Sequence, residues 1–135
     1  MKQDAIQTRR LYQFEDTFKF PYYLTRQRSR RQLSLMAKHI NPSIDLIFNK
    51  GILYNGKYQS YQEGQTIALA PNQRDYLTLA HELAHSFITR GSDHCPAFIN
   101  KYLDILDKYF IQYTTDTNEI MTGMLLYKIK FSYGK

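Results

Sequence analysis

His81-Glu82-Leu83-Ala84-His85, continued through Asp93-His94-Cys95-Pro96-Ala97-Phe98, is the stretch whose reading decides the fold. It has the form H-E-x-x-H with a further histidine downstream. On a helix, positions i and i+4 share a face, so His81 and His85 can present two imidazoles to one metal ion. Glu82 sits beside that face, where a carboxylate can take a proton from an attacking water. Eight residues separate His85 from His94, enough for the helix to end and the chain to turn back. With four His in 135 positions, and as few Glu, chance supplies the pattern in roughly 0.003 of such sequences. Three of the four histidines also fall between positions 81 and 94. At about 100° per residue, Tyr76, Ala80, Leu83 and Phe87 cluster opposite the two histidines. The pattern therefore predicts a helix over about 73–90, ending at Gly91, anchored by one face and open on the other.

Working outward, Pro71-Asn72 closes the segment before this helix, and Asn72 with Asp75 three positions on has the form of a capping box. Residues 44 to 70 alternate with a strand period. Ile44 to Phe48, Ile52 to Tyr54, Tyr58 to Tyr61 and Thr66 to Ala70 read as strands, with Asn55-Gly56 as a hairpin turn. They predict an antiparallel meander of three or four strands, whose last strand could line a cleft and pair with an extended peptide. Upstream, Thr25 reads as the N-cap of a helix to about Ile40, with Leu33, Met36, Ala37 and Ile40 on its apolar stripe. Residues 1–24 fit helix or strand equally well. Downstream, Pro96 suits the first position of a helix to about Ile111, with Phe98, Tyr102, Ile105, Leu106 and Tyr109 on one face. Asp116 and Glu119 cap a further helix to about Tyr127, and Lys128 to Phe131 alternates as a short strand would.

Length and composition bound the answer. A chain of 135 residues with 43% hydrophobic and 15% aromatic content is globular, and it reads as one domain, residues 1–135. No apolar run approaches a membrane span. Met1-Lys2-Gln3-Asp4 has no apolar core behind it, so a secretory signal peptide is not expected. One cysteine fits a reducing, cytoplasmic setting. The net charge of +6 permits a polyanionic partner. Arg26, Arg28, Arg30 and Arg31 would lie in the first turns of the Thr25 helix, near Tyr22 and Tyr23, as a patch for nucleic acid or as a solvated face.

A catalytic zinc takes three protein ligands and keeps a position open. His81 and His85 supply two. His94 is best placed for the third, with Asp93 a rival or a hydrogen-bonding partner of the ligand shell. Glu119 is a second rival, resembling the distant glutamate ligand of thermolysin-like enzymes, although it also suits a first-turn cap. Cys95 reads as a half-buried, unliganded thiol, and His39 as a helix-terminal residue without a site role.

These residues carry a resemblance. His81-Glu82-Leu83-Ala84-His85 with His94-Cys95-Pro96-Ala97-Phe98 resembles the H-E-[LV]-A-H … H-G-P-x-F pattern of SprT-like zincins. It is closer still to a family of small metallohydrolases of bacteria and their phages. An Arg-x-x-Tyr-x-x-Glu signature near the N-terminus of that family is matched by Arg9, Tyr12 and Glu15. The resemblance is specific over about residues 77–106. It implies His81, His85 and His94 as Zn2+ ligands and Glu82 as catalytic base. It also implies a zincin-like α+β fold, a small antiparallel or mixed sheet packed on the H-E-x-x-H helix with flanking helices. Cys95 stands where that family usually has Gly, so a left-handed backbone there would be strained. The metzincin spacing is absent, and no zinc ribbon accompanies the motif. The function expected is that of a zinc-dependent metallohydrolase, a metallopeptidase acting on a peptide or protein. The alternative is a basic nucleic-acid-binding protein whose zinc site is structural or vestigial.

Overall fold

The computed structural model describes residues 2–54, 56–88 and 93–134. The chain is α+β and groups into two compact units, one of residues Tyr22–Phe87 and one of Met1–Pro21 with Ile88–Lys135. None of the described helices is long and apolar enough to cross a membrane.

The Tyr22–Phe87 unit begins with a single helical turn, α2 (Tyr22–Thr25), and a longer helix, α3 (Arg30–Ile40). Here the expectation is corrected. The cap of the longer helix is Ser29, whose hydroxyl accepts from the Gln32 amide while the Gln32 side chain accepts from the Ser29 amide. This reciprocal pair satisfies two orphan donors at once, which Thr25 does not do. Arg26 and Arg28 consequently precede the helix, and only Arg30 and Arg31 lie in it. Leu33, Ala37 and Ile40 form its buried stripe.

Five short strands follow: β1 (Asp45–Phe48), β2 (Ile52–Tyr54), β3 (Lys57–Gln59), β4 (Tyr61–Glu63) and β5 (Thr66–Leu69). They do not form one meander. β1, β5 and β4 make a mixed sheet in that order, with β1 parallel and β4 antiparallel to β5, while β2 and β3 form a separate hairpin. Asn55 of the expected Asn55-Gly56 turn lies outside the described residues. Gly51 precedes the hairpin at φ 79°, where a Cβ would collide with the Gln59 carbonyl, so the close approach requires glycine. Ile67, Ala68, Leu69 and Ala70 are all buried, the continuous apolar run of a central strand. Both ladder edges of β5 are taken, so an added peptide strand cannot pair with it.

The motif helix, α4 (Tyr76–Phe87), packs on β4, β5, α2 and α3. Its cap is Asp75, whose carboxylate accepts from the Thr78 amide at 2.7 Å, not Asn72, which sits in the preceding turn at φ 68°. Leu79 and Leu83 are fully buried, each contributing about 1.5–3 kcal/mol. The expected two-faced helix is also corrected: His81, Glu82, Ala84 and Ser86 are buried too, whereas Phe87 is exposed. Burial of Ser86 is satisfied by the Leu83 carbonyl and the Asn41 side-chain amide. The expected helix end at Arg90 and Gly91, and the turn at Ser92, lie outside the described residues.

The other unit is helical. Its first element, α1 (Lys2–Thr17), settles the ambiguous N-terminal stretch as helix, with Gln7, Leu11 and Phe14 buried at i, i+4 and i+7. Next, α5 (Pro96–Ile105) carries Pro96 at its start and buries Phe98, Ile99, Tyr102, Leu103 and Ile105. A π-helical turn over Leu106–Phe110 continues it, closed by Ile111 N–H donating to the Leu106 carbonyl at 2.7 Å. The last helix, α6 (Thr114–Leu126), starts after Tyr113 without a side-chain cap, so the expected Asp116 cap is not formed. Gly123 lets this helix close on Phe14, because a Cβ there would meet the Phe14 ring at 2.6 Å. Residues 128–131 are not a strand. The Gln7 side-chain amide nevertheless pairs with both the N–H and the C=O of Lys130, as a neighbouring strand's peptide group would.

Candidate metal centre

Two elements present the histidines in different ways. On α4, His81 and His85 follow from helical spacing alone, with ring centroids 5.1 Å apart. Glu82 is 7% exposed, as is His81. Burial, and secondarily the charge of His81, push the His85 pKa down to about 3. Its imidazole is thus neutral, the form that offers a lone pair to a metal.

His94 lies just before α5 and is held from several sides. Its backbone is left-handed, φ 54°, which costs a non-glycine residue about 1–2 kcal/mol. The Gln7 amide donates to its carbonyl at 3.0 Å, and the Thr8 hydroxyl meets its Nδ1 at 2.9 Å. Two such bonds, each worth about 0.5–1.5 kcal/mol, offset the strain. The Asp93 carboxylate also stands 3.3 Å from Nδ1. The rings of Tyr12 and Phe98 meet the imidazole edge-on at 5.2 and 4.9 Å. With Nδ1 engaged by Thr8 and Asp93, Nε2 is the atom the ring can offer to an ion. The concern about a left-handed Cys95 does not arise: Cys95 has φ −65°, and the special backbone falls one residue earlier, on His94 itself.

His81, His85 and His94 each offer one ligand atom, and these atoms all lie within 4.8 Å of one another. No family model, curated protein or solved structure matches this chain. The case for a metal centre therefore rests on the donor set. Three imidazoles are borderline donors suited to zinc, and three protein ligands leave the open position of a catalytic site. Nitrogens about 2.0–2.1 Å from a tetrahedral ion stand roughly 3.4 Å apart, within the 4.8 Å span of the three ligand atoms. The residues fit a metal ion of this kind. Neither Asp93 nor Glu119 belongs to the cluster found among the described residues.

The remaining sequence candidates separate. Tyr12 touches His94, Glu15 accepts a hydrogen bond from the Tyr102 hydroxyl at 2.8 Å, and Arg9 is exposed. Cys95 is a free, half-buried thiol, as expected. Gln7 and Thr8 were not anticipated. The signal that could have found them is the Gln7, Leu11, Phe14 spacing, masked because its first member is polar. Arg74 was also missed: it joins Arg28 and Arg30 in space but stands far from them in sequence.

Proposed function

We propose that residues 1–135 form a single zinc-dependent hydrolase domain acting on peptide bonds in a reducing, cytoplasmic setting. His81, His85 and His94 would hold the ion, and Glu82 would be the general base. The observation that carries this reading is the three-histidine cluster with Glu82 next to one of its members on α4. A zinc ion held there would supply a Lewis acid and lower the pKa of a bound water towards about 7. Glu82 would accept the proton of the attacking water and return it to the leaving amine, the two transfers a single carboxylate can serve in turn. Its burial keeps bulk water from competing for that proton. The motif residues and their spacing support kinship with SprT-like zincins and the small bacterial and phage metallohydrolases.

Two measurements test the reading. Protein purified without chelator should carry close to one zinc per chain. In a broad peptide screen Glu82→Gln should lower turnover by about 10²–10⁴-fold while the zinc stays bound. Less than about half a zinc per chain, or full activity in Glu82→Gln, would overturn the proposal.

A further inference from the structure

Arg28, Arg30 and Arg74 come together at the N-terminal end of α4. The Arg28 amide donates to the Arg74 carbonyl at 2.8 Å, which ties the two backbones together. The Arg28 guanidinium lies 4.2 Å from the Tyr76 ring centroid and donates to the Tyr23 carbonyl at 2.8 Å. Arg30 and Arg74 both stack on Phe48, at 5.2 and 5.3 Å. Ring contact fixes the plane of a guanidinium and leaves its N–H edge to face a planar anion. Among the described residues, none of the three makes an ion pair with a carboxylate. Arg28 Nε is buried and has no hydrogen-bond partner. Arg74 Nε donates to the Leu69 carbonyl at 3.4 Å, and the three cations keep the rest of their N–H donors for an oxyanion.

We propose that Arg28, Arg30 and Arg74 bind the carboxylates of an acidic segment in a polypeptide substrate. The substrate class rests on the hydrolase reading above; the anion site itself does not. One feature favours polypeptide over nucleic acid: the ring faces that meet the arginines, on Tyr76 and Phe48, are covered by guanidinium groups and are not open to stacking bases. His81 follows Tyr76 by five residues, about 7.5 Å along the helix axis and roughly 140° around it, so a substrate held at both points passes around the helix and its acidic segment lies about five or more residues from the cleaved bond.

The test is binding to full-length Glu82→Gln protein, followed by fluorescence anisotropy. Three labelled probes are compared: a peptide with a run of four glutamates beside a neutral segment, its glutamine counterpart, and a single-stranded oligodeoxynucleotide. The acidic peptide should bind at least about tenfold more tightly than the glutamine peptide, and progressively less as salt rises. Combining Arg30→Glu with Arg74→Glu should remove that preference. Should the double variant fail to fold by circular dichroism, Arg30→Gln alone, at an exposed position in the first turn of α3, carries the same expectation at a few-fold. Equal binding of the two peptides, or a preference that survives these variants, overturns the proposal. Tighter binding of the oligonucleotide with the same sensitivity to variants also overturns it and reassigns the site to nucleic acid. Failure of the hydrolase reading would show separately, in zinc content and in turnover of neutral peptides.

Discussion

The two places that present histidines solve the same problem by opposite means. On α4 the geometry is local: an i, i+4 spacing on a capped and buried helix aims His81 and His85 together. At His94 almost everything is non-local. A left-handed residue is pinned by Gln7 and Thr8, which stand 87 and 86 positions away in sequence. Regular helix is cheap to specify because each turn repeats the same favourable backbone. A single strained residue is stable only when its surroundings over-determine it. Variants that weaken these surroundings should therefore harm His94 and spare the helix pair.

Gln7→Leu should have the largest effect. The change removes three hydrogen bonds, to the His94 carbonyl and to both backbone groups of Lys130, at a residue only 6% exposed. A loss of about 3 kcal/mol is expected in chemical denaturation, the scale of leaving a buried polar group unmet. A loss below about 0.5 kcal/mol would mean that the His94 backbone holds its conformation unaided.

Thr8→Val should act on the metal more than on the fold. Removing the partner of Nδ1 frees the ring to turn, and zinc affinity measured by chelator competition should fall about 10–100-fold. Thr8→Ser, which restores a hydroxyl, should recover most of that loss. Equal affinity in Val and Ser variants would pass the orienting role to Asp93, the other group beside Nδ1.

The smallest effect belongs to the helix. Asp75→Ala deletes the cap of α4 and should cost about 1 kcal/mol of stability. Zinc affinity should change little, because the first turn frays before the turn that carries His81. A fall in zinc affinity as large as that of Thr8→Val would erase the contrast between local and non-local placement.

What could be read from residues alone follows the same division. The α4 helix, its two histidines and Glu82, the Pro96 start of α5, and the β2–β3 hairpin were legible because each is written in a short window of spacing or turn chemistry. The pairing of β1 with β5 was not, since the parallel register of Asp45 against Thr66 joins segments that no local pattern connects; a mixed sheet was expected only from the family resemblance. The N-terminal helix was obscured by its own site residue: a buried glutamine breaks the apolar period that would have marked α1. Thr25 read as the cap of α3, whereas the reciprocal bond with Gln32 belongs to Ser29, which no short pattern singled out.

By itself, then, the sequence determined the chemistry on α4: two imidazoles and a carboxylate on successive turns, with a histidine downstream as the candidate to join them. Only the tertiary structure decided that His94 is gripped through its backbone and Nδ1 from α1, and that Arg74 stands with Arg28 and Arg30 around Tyr76 and Phe48. The physical reason is range. Helical periodicity is enforced between residues four apart, whereas a left-handed histidine and a cluster of ring-seated arginines exist only where distant segments supply their hydrogen bonds and their rings.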